Sequence, residues 1–218
     1  MPNGIPPAVA NSLWYASCLR EAYRFRRALG DVAGTQERLL LETLRRNEGT
    51  EYGRRHGFAK IRSTDEYRER VPLTDYEDYA EAVGRISAGE SNVLTGDPVL
   101  LLEPTSGSTA ATKLVPYTAA LRSQFGRAIA PWIVDLFRDR RLLRGTAYWS
   151  ASPVARREER TPGGIPIGFE DDAGYLGSFG GALARSVLAV PAEVARIEDM
   201  ESFRYAALLF LLRSRSLA

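Results

Sequence analysis

Two short apolar runs flanking a polar, small-residue stretch place the tightest constraint on how this chain can fold. Pro98-Val-Leu-Leu-Leu-Glu103 is too short for a helix and suits a buried strand. Lys113-Leu-Val-Pro-Tyr117 reads as a second strand. Pro116 has no N–H to give a ladder, so it is expected at an edge or a strand end. Ala147-Tyr-Trp-Ser-Ala151 is a third strand candidate. Residues 1–90, by contrast, read as a string of helices. Helices first, then strands alternating with helices over 91–218, predict an α/β fold with a helical N-terminal layer.

The helices carry explicit start and stop signals. Val9 to Leu29 has an apolar stripe through Leu13, Trp14, Leu19, Tyr23 and Phe25, ended by Gly30. Thr35 is expected to cap a second helix through Leu40, Leu41 and Leu44 that stops near Asn47-Glu-Gly49. Ser63-x-x-Glu66 and Thr74-x-x-Glu77 both fit a capping box, in which two orphan backbone donors are satisfied reciprocally. The second box should open a helix with Tyr76, Tyr79, Ala80, Val83 and Ile86 on one face, closed by Gly89. Thr118 is a cap for a long helix through Ile133 and Phe137, which Pro131 should kink. Thr161-Pro-Gly-Gly and the residues to Asp172 have the content of an ordered loop. Asp199 is expected to cap a last helix, Met200 to Arg213.

Composition excludes several function classes. Net charge is +2, from 29 basic and 27 acidic residues, which gives no polyelectrolyte signal for nucleic acid. The basic clusters at Arg24–Arg27, Arg138–Arg144 and Arg156–Arg157 are broken by acidic or apolar residues and read as solvated faces. Cys18 is the only cysteine, so an intramolecular disulfide is impossible; it lies at helical spacing in an apolar run and reads as core filler. No basic region leads into a long apolar stretch near Met1, and Tyr205–Leu212 is too short to span a bilayer. The expectation is a cytoplasmic chain with no membrane partner. A single His56, in a helix-end turn, and a single cysteine leave zinc ligation and Ser-His-Asp or Cys-His catalysis without support. No metal ligand set is assigned. Tyr148 and Trp149 are expected to pack in the core.

The chemistry sits in Thr105-Ser-Gly-Ser-Thr-Ala-Ala-Thr-Lys113. A loop rich in hydroxyls that turns at Gly107 can converge its N–H and O–H donors, and concave clusters of such donors bind phosphate. Lys113 adds a flexible positive charge. The Walker A pattern fails, because Thr112 stands where its second Gly belongs and Leu114 where its Ser/Thr belongs. On composition alone, a plain Ser/Thr-rich turn and a phosphate loop are equal readings.

Thr105-Ser106-Gly107-Ser108-Thr109-x-x-x-Lys113 resembles the phosphate-loop signature of the adenylate-forming superfamily, which includes acyl-CoA ligases and luciferases. Thr50-Glu-Tyr-Gly53, Val71-Pro-Leu-Thr-Asp-Tyr-Glu-Asp78, Asn92-Val-Leu-Thr95 and Lys113-Leu-Val-Pro116 resemble, in order and spacing, the auxin-responsive Gretchen Hagen family of acyl-acid amido synthetases, its bacterial members above all. Ala110 and Ala111 depart from that family's pattern, which prefers Gly or Ala-Gly there. The resemblance implies the N-terminal part of a firefly-luciferase-like large domain over 1–218. It implies ATP with Mg²⁺ as the nucleotide, and a carboxylic acid and an amine or amino acid as small-molecule partners. Thr105, Ser106, Gly107, Ser108 and Thr109 would hold the triphosphate, and Lys113 would offset developing charge as the catalytic residue. Arg122 or Arg127, on the helix after the second strand, would meet the acid's carboxylate.

Members of that family are expected to run well over twice this length. Their Tyr-x-Ser-Ser-Glu and Arg-x-Gly-Asp segments, for adenine and ribose, do not occur in these 218 residues. The apolar run Phe203–Leu212 is expected to pack between layers supplied by further chain. This 218-residue chain is therefore expected to be an inactive fragment prone to self-association. Acyl-CoA ligation and a non-catalytic nucleotide-binding remnant or partner subunit are the alternatives.

Overall fold

The computed structural model describes residues 5–105, 113–139, 141–148, 159–169, 175–214 and 217. In chain order they form helices α1 (Pro7–Ala28), α2 (Val32–Asn47), α3 (Glu51–Arg55), α4 (Thr64–Arg70) and α5 (Ala80–Ser87). Strands β1 (Val99–Pro104) and β2 (Leu114–Thr118) follow, then helices α6 (Ala119–Leu136), α7 (Gly177–Val187) and α8 (Met200–Arg213). The expected helical first part is present. The expected alternation of strands and helices is thinner: among the described residues the sheet has two strands, supplemented by isolated bridges. The fold is α/β but mostly helical. The chain divides into two compact units, one of Met1–Arg26, Arg122–Arg157 and Phe169–Ala218, the other of Arg27–Leu121 and Glu158–Gly168.

In the second unit, local capping decides where helices begin. Asp31, not Thr35, caps α2, its carboxylate accepting from the Gly34 N–H at 3.0 Å. Both residues can cap, and aspartate, the stronger N-cap, stands one step before the helix. Ser63 caps α4 as expected, but the Glu66 carboxylate reaches back to the Arg62 N–H (2.8 Å) instead of completing the box at Ser63. The second predicted box is displaced by one residue. The Asp75 N–H donates to Asp78 at 2.9 Å and the Glu77 N–H to Asp75 at 2.9 Å, leaving Thr74 to bond the Tyr79 hydroxyl. A 3-10 turn at Glu77–Tyr79 then leads into α5. Leu44, Phe58, Ile61 and Val71 form one buried cluster, and Ile86, Val93 and Leu102 another.

β1 and β2 run antiparallel, with Leu102 opposite Pro116, Glu103 opposite Val115 and Pro104 opposite Leu114. Both prolines therefore take non-hydrogen-bonded positions, where the missing N–H breaks no rung. The same alternation turns the Leu102 backbone to the other side. Its N–H donates to the Pro166 carbonyl (2.9 Å) and its C=O accepts from Gly168 (2.8 Å). Pro116 is thus on the outer strand, as its chemistry requires, and β1 is the inner one.

The first unit is built on α1, α6 and α7. Ala10, Trp14, Cys18 and Ala22 recur every four residues on α1 and pack with Ala130, Ile133, Val134 and Phe137 of α6 and Leu183, Ala184 and Val187 of α7. Of the predicted stripe only Trp14 is buried; Leu13, Leu19, Tyr23 and Phe25 are exposed. The small residues select the face, since alanines let helix backbones approach where bulkier side chains would hold them apart. Cys18 is core filler, and burial pushes its thiol pKa up. Thr118 caps α6, and Pro131 lies inside that helix without ending it. Asp199 caps α8 through the Ser202 N–H (2.7 Å), which holds its carboxyl below the usual range. α8 buries only Phe203 and Ala207 on a local cluster, while Leu212 is 87% exposed. The layers expected to cover the rest of this helix are those of further chain, and the described residues do not test them. Thr146 and Ala147 form bridges to Leu217 and Leu188, and residues 149–151 of the third strand candidate lie outside the described residues. Tyr148 is 47% exposed rather than core, and Trp149 lies outside the described residues.

Asn11 is the polar member of the α1 face. It is buried, and its side-chain amide donates to the carbonyls of Leu143 (3.1 Å) and Gly145 (3.0 Å). Asn11→Leu leaves those carbonyls without this donor, so it is expected to destabilise the chain by about 1–3 kcal/mol. Urea titration followed by tryptophan emission checks this, because all three tryptophans, at 14, 132 and 149, belong to this unit.

Candidate functional site

The polar loop is the connection of a β-hairpin. The Thr105 N–H donates to the Lys113 carbonyl at 2.9 Å and closes the loop at its neck. Of the predicted loop residues, Thr105 and Lys113 are brought together there. Ser106, Gly107, Ser108 and Thr109, with Ala110 and Ala111, lie outside the described residues.

The neck is held from outside the hairpin by Tyr76. Because Leu114 occupies a non-hydrogen-bonded position, its N–H and C=O both point away from β1. The Tyr76 hydroxyl takes both, accepting from the Leu114 N–H (2.9 Å) and donating to its carbonyl (3.1 Å). The same ring lies 4.9 Å from the Lys113 Nζ, within cation–π reach. The next residue, Glu77, places Oε1 3.2 Å from that Nζ. Lys113 therefore stands at the loop exit with an aromatic face on one side and an oxyanion on the other. Tyr76 was expected on a helix face and Glu77 in a capping box. Their contacts with Lys113 and Leu114 link residues far apart in sequence, and the signal that could have found them was the pairing of the Val71–Asp78 segment with the loop.

The segment carrying Tyr76 and Glu77 is itself fixed. Val71 anchors one end in its buried cluster, and the Asp75–Asp78 bonds shape the turn. Tyr79 bonds Thr74 (2.6 Å) and Tyr52 (3.2 Å). Burial, together with the Tyr79 hydroxyl, pushes the Tyr52 phenol pKa up, so Tyr52 stays neutral. Tyr52 also lies against the ring of His56, the C-terminal cap of α3, which fits the helix-end turn expected for that histidine.

Two further motifs meet in this unit. Thr50 is buried and caps α3, accepting from Gly53 (2.9 Å) and donating to the Asn47 carbonyl (2.7 Å). The Glu51 and Tyr52 N–H groups donate to the carbonyls of Asn92 (2.8 Å) and Val93 (3.1 Å). Glu51 also pairs with Arg85 at 2.7 Å, and that guanidinium holds both Glu51 and Glu90 below the usual carboxylate range. Thr50–Gly53 and Asn92–Thr95 are therefore one joint, and it supports the turn that leads into β1.

Arg122 and Arg127 lie on α6, in the other unit. Five residues apart, they point about 140° from each other around the helix axis, so they do not share a face. Arg122 is half-buried and Arg127 exposed, and neither forms an ion pair with a described residue. No group of three His, Cys, Asp or Glu among the described residues is arranged to hold a metal ion. No helix among them is long and apolar enough to cross a membrane.

A family model, the GH3 family N-terminal domain, matches residues 21–218. The chain belongs to the GH3 family. Among curated relatives, the probable indole-3-acetic acid-amido synthetase GH3.2 of Oryza sativa subsp. japonica is 32% identical over 135 residues, 60% of this chain and 22% of that protein. The probable indole-3-acetic acid-amido synthetase GH3.1 of Arabidopsis thaliana is 30% identical over 151 residues, 67% of this chain and 25% of that protein. A solved structure of GH3.15 acyl acid amido synthetase superimposes with a TM-score of 0.64 at 22% identity, over 87% of this chain and 33% of that one. At that identity the likeness speaks to fold: this GH3 chain has the architecture of the corresponding portion. It spans about a quarter of the length of the curated relatives it matches.

Proposed function

We propose that the loop from Thr105 to Lys113 grips the phosphates of ATP, and that this chain contributes that grip to an acyl-acid amido synthetase. The observation that carries the reading is the neck of the hairpin, where Lys113 is pinned opposite Thr105 with a carboxylate oxygen already on its ammonium. An ammonium that holds one oxyanion at 3.2 Å suits a phosphate oxygen in the same place. Thr105, Ser106, Ser108 and Thr109 would supply hydroxyl and backbone donors, and Gly107 would let the backbone approach. No carboxylate cluster for a metal occurs among the described residues, so magnesium would arrive with the triphosphate and be held mainly by phosphate oxygens. Its chemistry there is to neutralise phosphate charge.

In the reaction proposed for the whole enzyme, a carboxylate oxygen attacks the α-phosphorus of ATP and pyrophosphate leaves. An amine nitrogen then attacks the acyl carbon of the adenylate, and AMP leaves. Phosphoryl transfer asks a protein mainly for positioning and charge stabilisation. Thr105 and the hydroxyl loop orient the triphosphate, and Lys113 offsets the charge that builds on departing pyrophosphate. Arg122 or Arg127 of α6 would meet the acid's carboxylate. The names of the relatives support the amide-forming class, and the structure of AtGH3.15 acyl acid amido synthetase in complex with 2,4-DB (TM-score 0.58, 22% identity, 77% of this chain and 28% of that one) supports an acid substrate. We place the chain in the cytoplasm, where ATP is abundant.

Titration calorimetry with ATP tests the grip. Wild-type chain is expected to bind, and Lys113→Met to weaken binding about tenfold, the worth of one charge-assisted bond. Equal affinity in the two chains would remove Lys113 from the site. The 218 residues alone are expected to give no acid-dependent ATP–pyrophosphate exchange; robust exchange would show that they carry the adenylation chemistry unaided.

A further inference from the structure

We infer that Glu77 is a built-in counter-ion of the loop lysine, occupying Lys113 in the empty site and yielding it to a polyphosphate oxygen when nucleotide arrives. The inference rests on the phosphate reading of the loop and adds to it a competitor within the chain.

Two contacts define the surroundings of the Lys113 ammonium. Its Nζ lies 4.9 Å from the centroid of the Tyr76 ring, and Tyr76 is tied by both its hydroxyl bonds to Leu114. That closes the aromatic side. The other side is taken by the Glu77 carboxylate at 3.2 Å. A phosphate oxygen that arrives on this side meets the proton the carboxylate already holds and the charge the carboxylate brings, so the two oxyanions compete. Glu77 is suited to yielding. Its side chain is 72% exposed, and Lys113 is its only salt-bridge or hydrogen-bonding side-chain partner among the described residues. The carboxylate can therefore swing into water without breaking another bond. Its backbone stays in place, because the Glu77 N–H is held by Asp75 at 2.9 Å.

The consequence is a threshold on ligand charge. A ligand binds with an affinity lowered by the fraction of Lys113 already occupied. An oxyanion no stronger than a carboxylate gains little by displacing Glu77, whereas a polyphosphate brings several charges to the loop at once. Removing the Glu77 charge should therefore tighten polyphosphate binding. For an exposed pair the gain is about two- to five-fold.

Calorimetric titration of inorganic tripolyphosphate without magnesium, at fixed ionic strength, tests this on four chains: wild type, Glu77→Gln, Lys113→Met and the double variant. Glu77→Gln is expected to bind about two- to five-fold more tightly than wild type, and the gain is expected to vanish in the Lys113→Met background. Unchanged or weaker binding by Glu77→Gln, with Lys113→Met weakened, overturns the counter-ion and leaves the phosphate grip standing. A gain that persists without Lys113 also overturns it, since the effect is then a diffuse field and not an exchange. Equal binding by wild type and Lys113→Met removes Lys113 from the site, and no binding by wild type removes the grip itself; either outcome overturns the inference. Matching melting curves for Glu77→Gln and wild type exclude a folding effect.

Discussion

Gly53→Ala is expected to destabilise the unit containing residues 27–121 by about 3 kcal/mol or more, the upper end of what overpacking does. A methyl carbon at this position would stand 2.1 Å from the Asn47 carbonyl oxygen and 3.0 Å from both its carbon and the Thr50 hydroxyl. The first two are backbone atoms at the end of α2, and neither can rotate away. Relief requires moving α3 off α2, which breaks the Thr50 cap and the bonds from Glu51 and Tyr52 to Asn92 and Val93. Urea denaturation followed by far-ultraviolet circular dichroism measures the loss, and hydrogen exchange at the Glu51 and Tyr52 amides locates it. Gly84→Ala is the control. Gly84 is exposed in mid-α5 with no atom within 4 Å of an added methyl, so the same change there should stabilise by about 0.5–1 kcal/mol.

The second large effect is expected from Leu102→Ala, at about 2–5 kcal/mol. Leu102 is fully buried on the inner strand, packed with Ile86 and Val93 and flanked by Leu114 and Ile165. Truncation empties the centre of that cluster, and the surrounding backbone is held by hydrogen bonds on both edges of β1, so it collapses poorly into the space. Amide exchange at Gly168 and Leu102 should accelerate together, because their bonds flank the cavity. Leu100→Ala, at the exposed irregularity in the strand pairing, should stay within about 0.5 kcal/mol of wild type.

What was legible in the sequence was local chemistry. Thr118 and Asp199 cap the helices they were expected to cap, Gly89 ends α5, and both apolar runs around the loop are strands, because each signal acts within a few residues. Where two local signals competed, as at Asp31 and Thr35, the winner depended on where the preceding helix stopped. The buried face of α1 was misread because large apolar residues attract notice, while Ala10 and Ala22 decide which side can approach another helix. α7 was missed since Gly177-Ser-Phe-Gly-Gly181 looks like loop, and only its packing through Leu183, Ala184 and Val187 makes it a helix. At the candidate site, Thr105 and Lys113 could be singled out by residue type. Tyr76 and Glu77 could not, since 38 residues separate Tyr76 from the strand it ties, and no local pattern reports such a contact.

The inner position of β1 has a consequence for how this chain is made. Its partner on one side, β2, follows within a hairpin, but its partner on the other side is the stretch around Pro166–Gly168. From Leu102 to Gly168 is 66 residues (168 − 102), which a ribosome adding ~5–20 residues per second supplies over about 3–13 s. Throughout that interval the nascent β1 carries an open strand edge, with the Leu102 N–H and C=O unpaired, beside residues that form its apolar cluster. Synthesis itself thus holds this strand in the form most able to pair with another chain, until the segment that closes it has been translated.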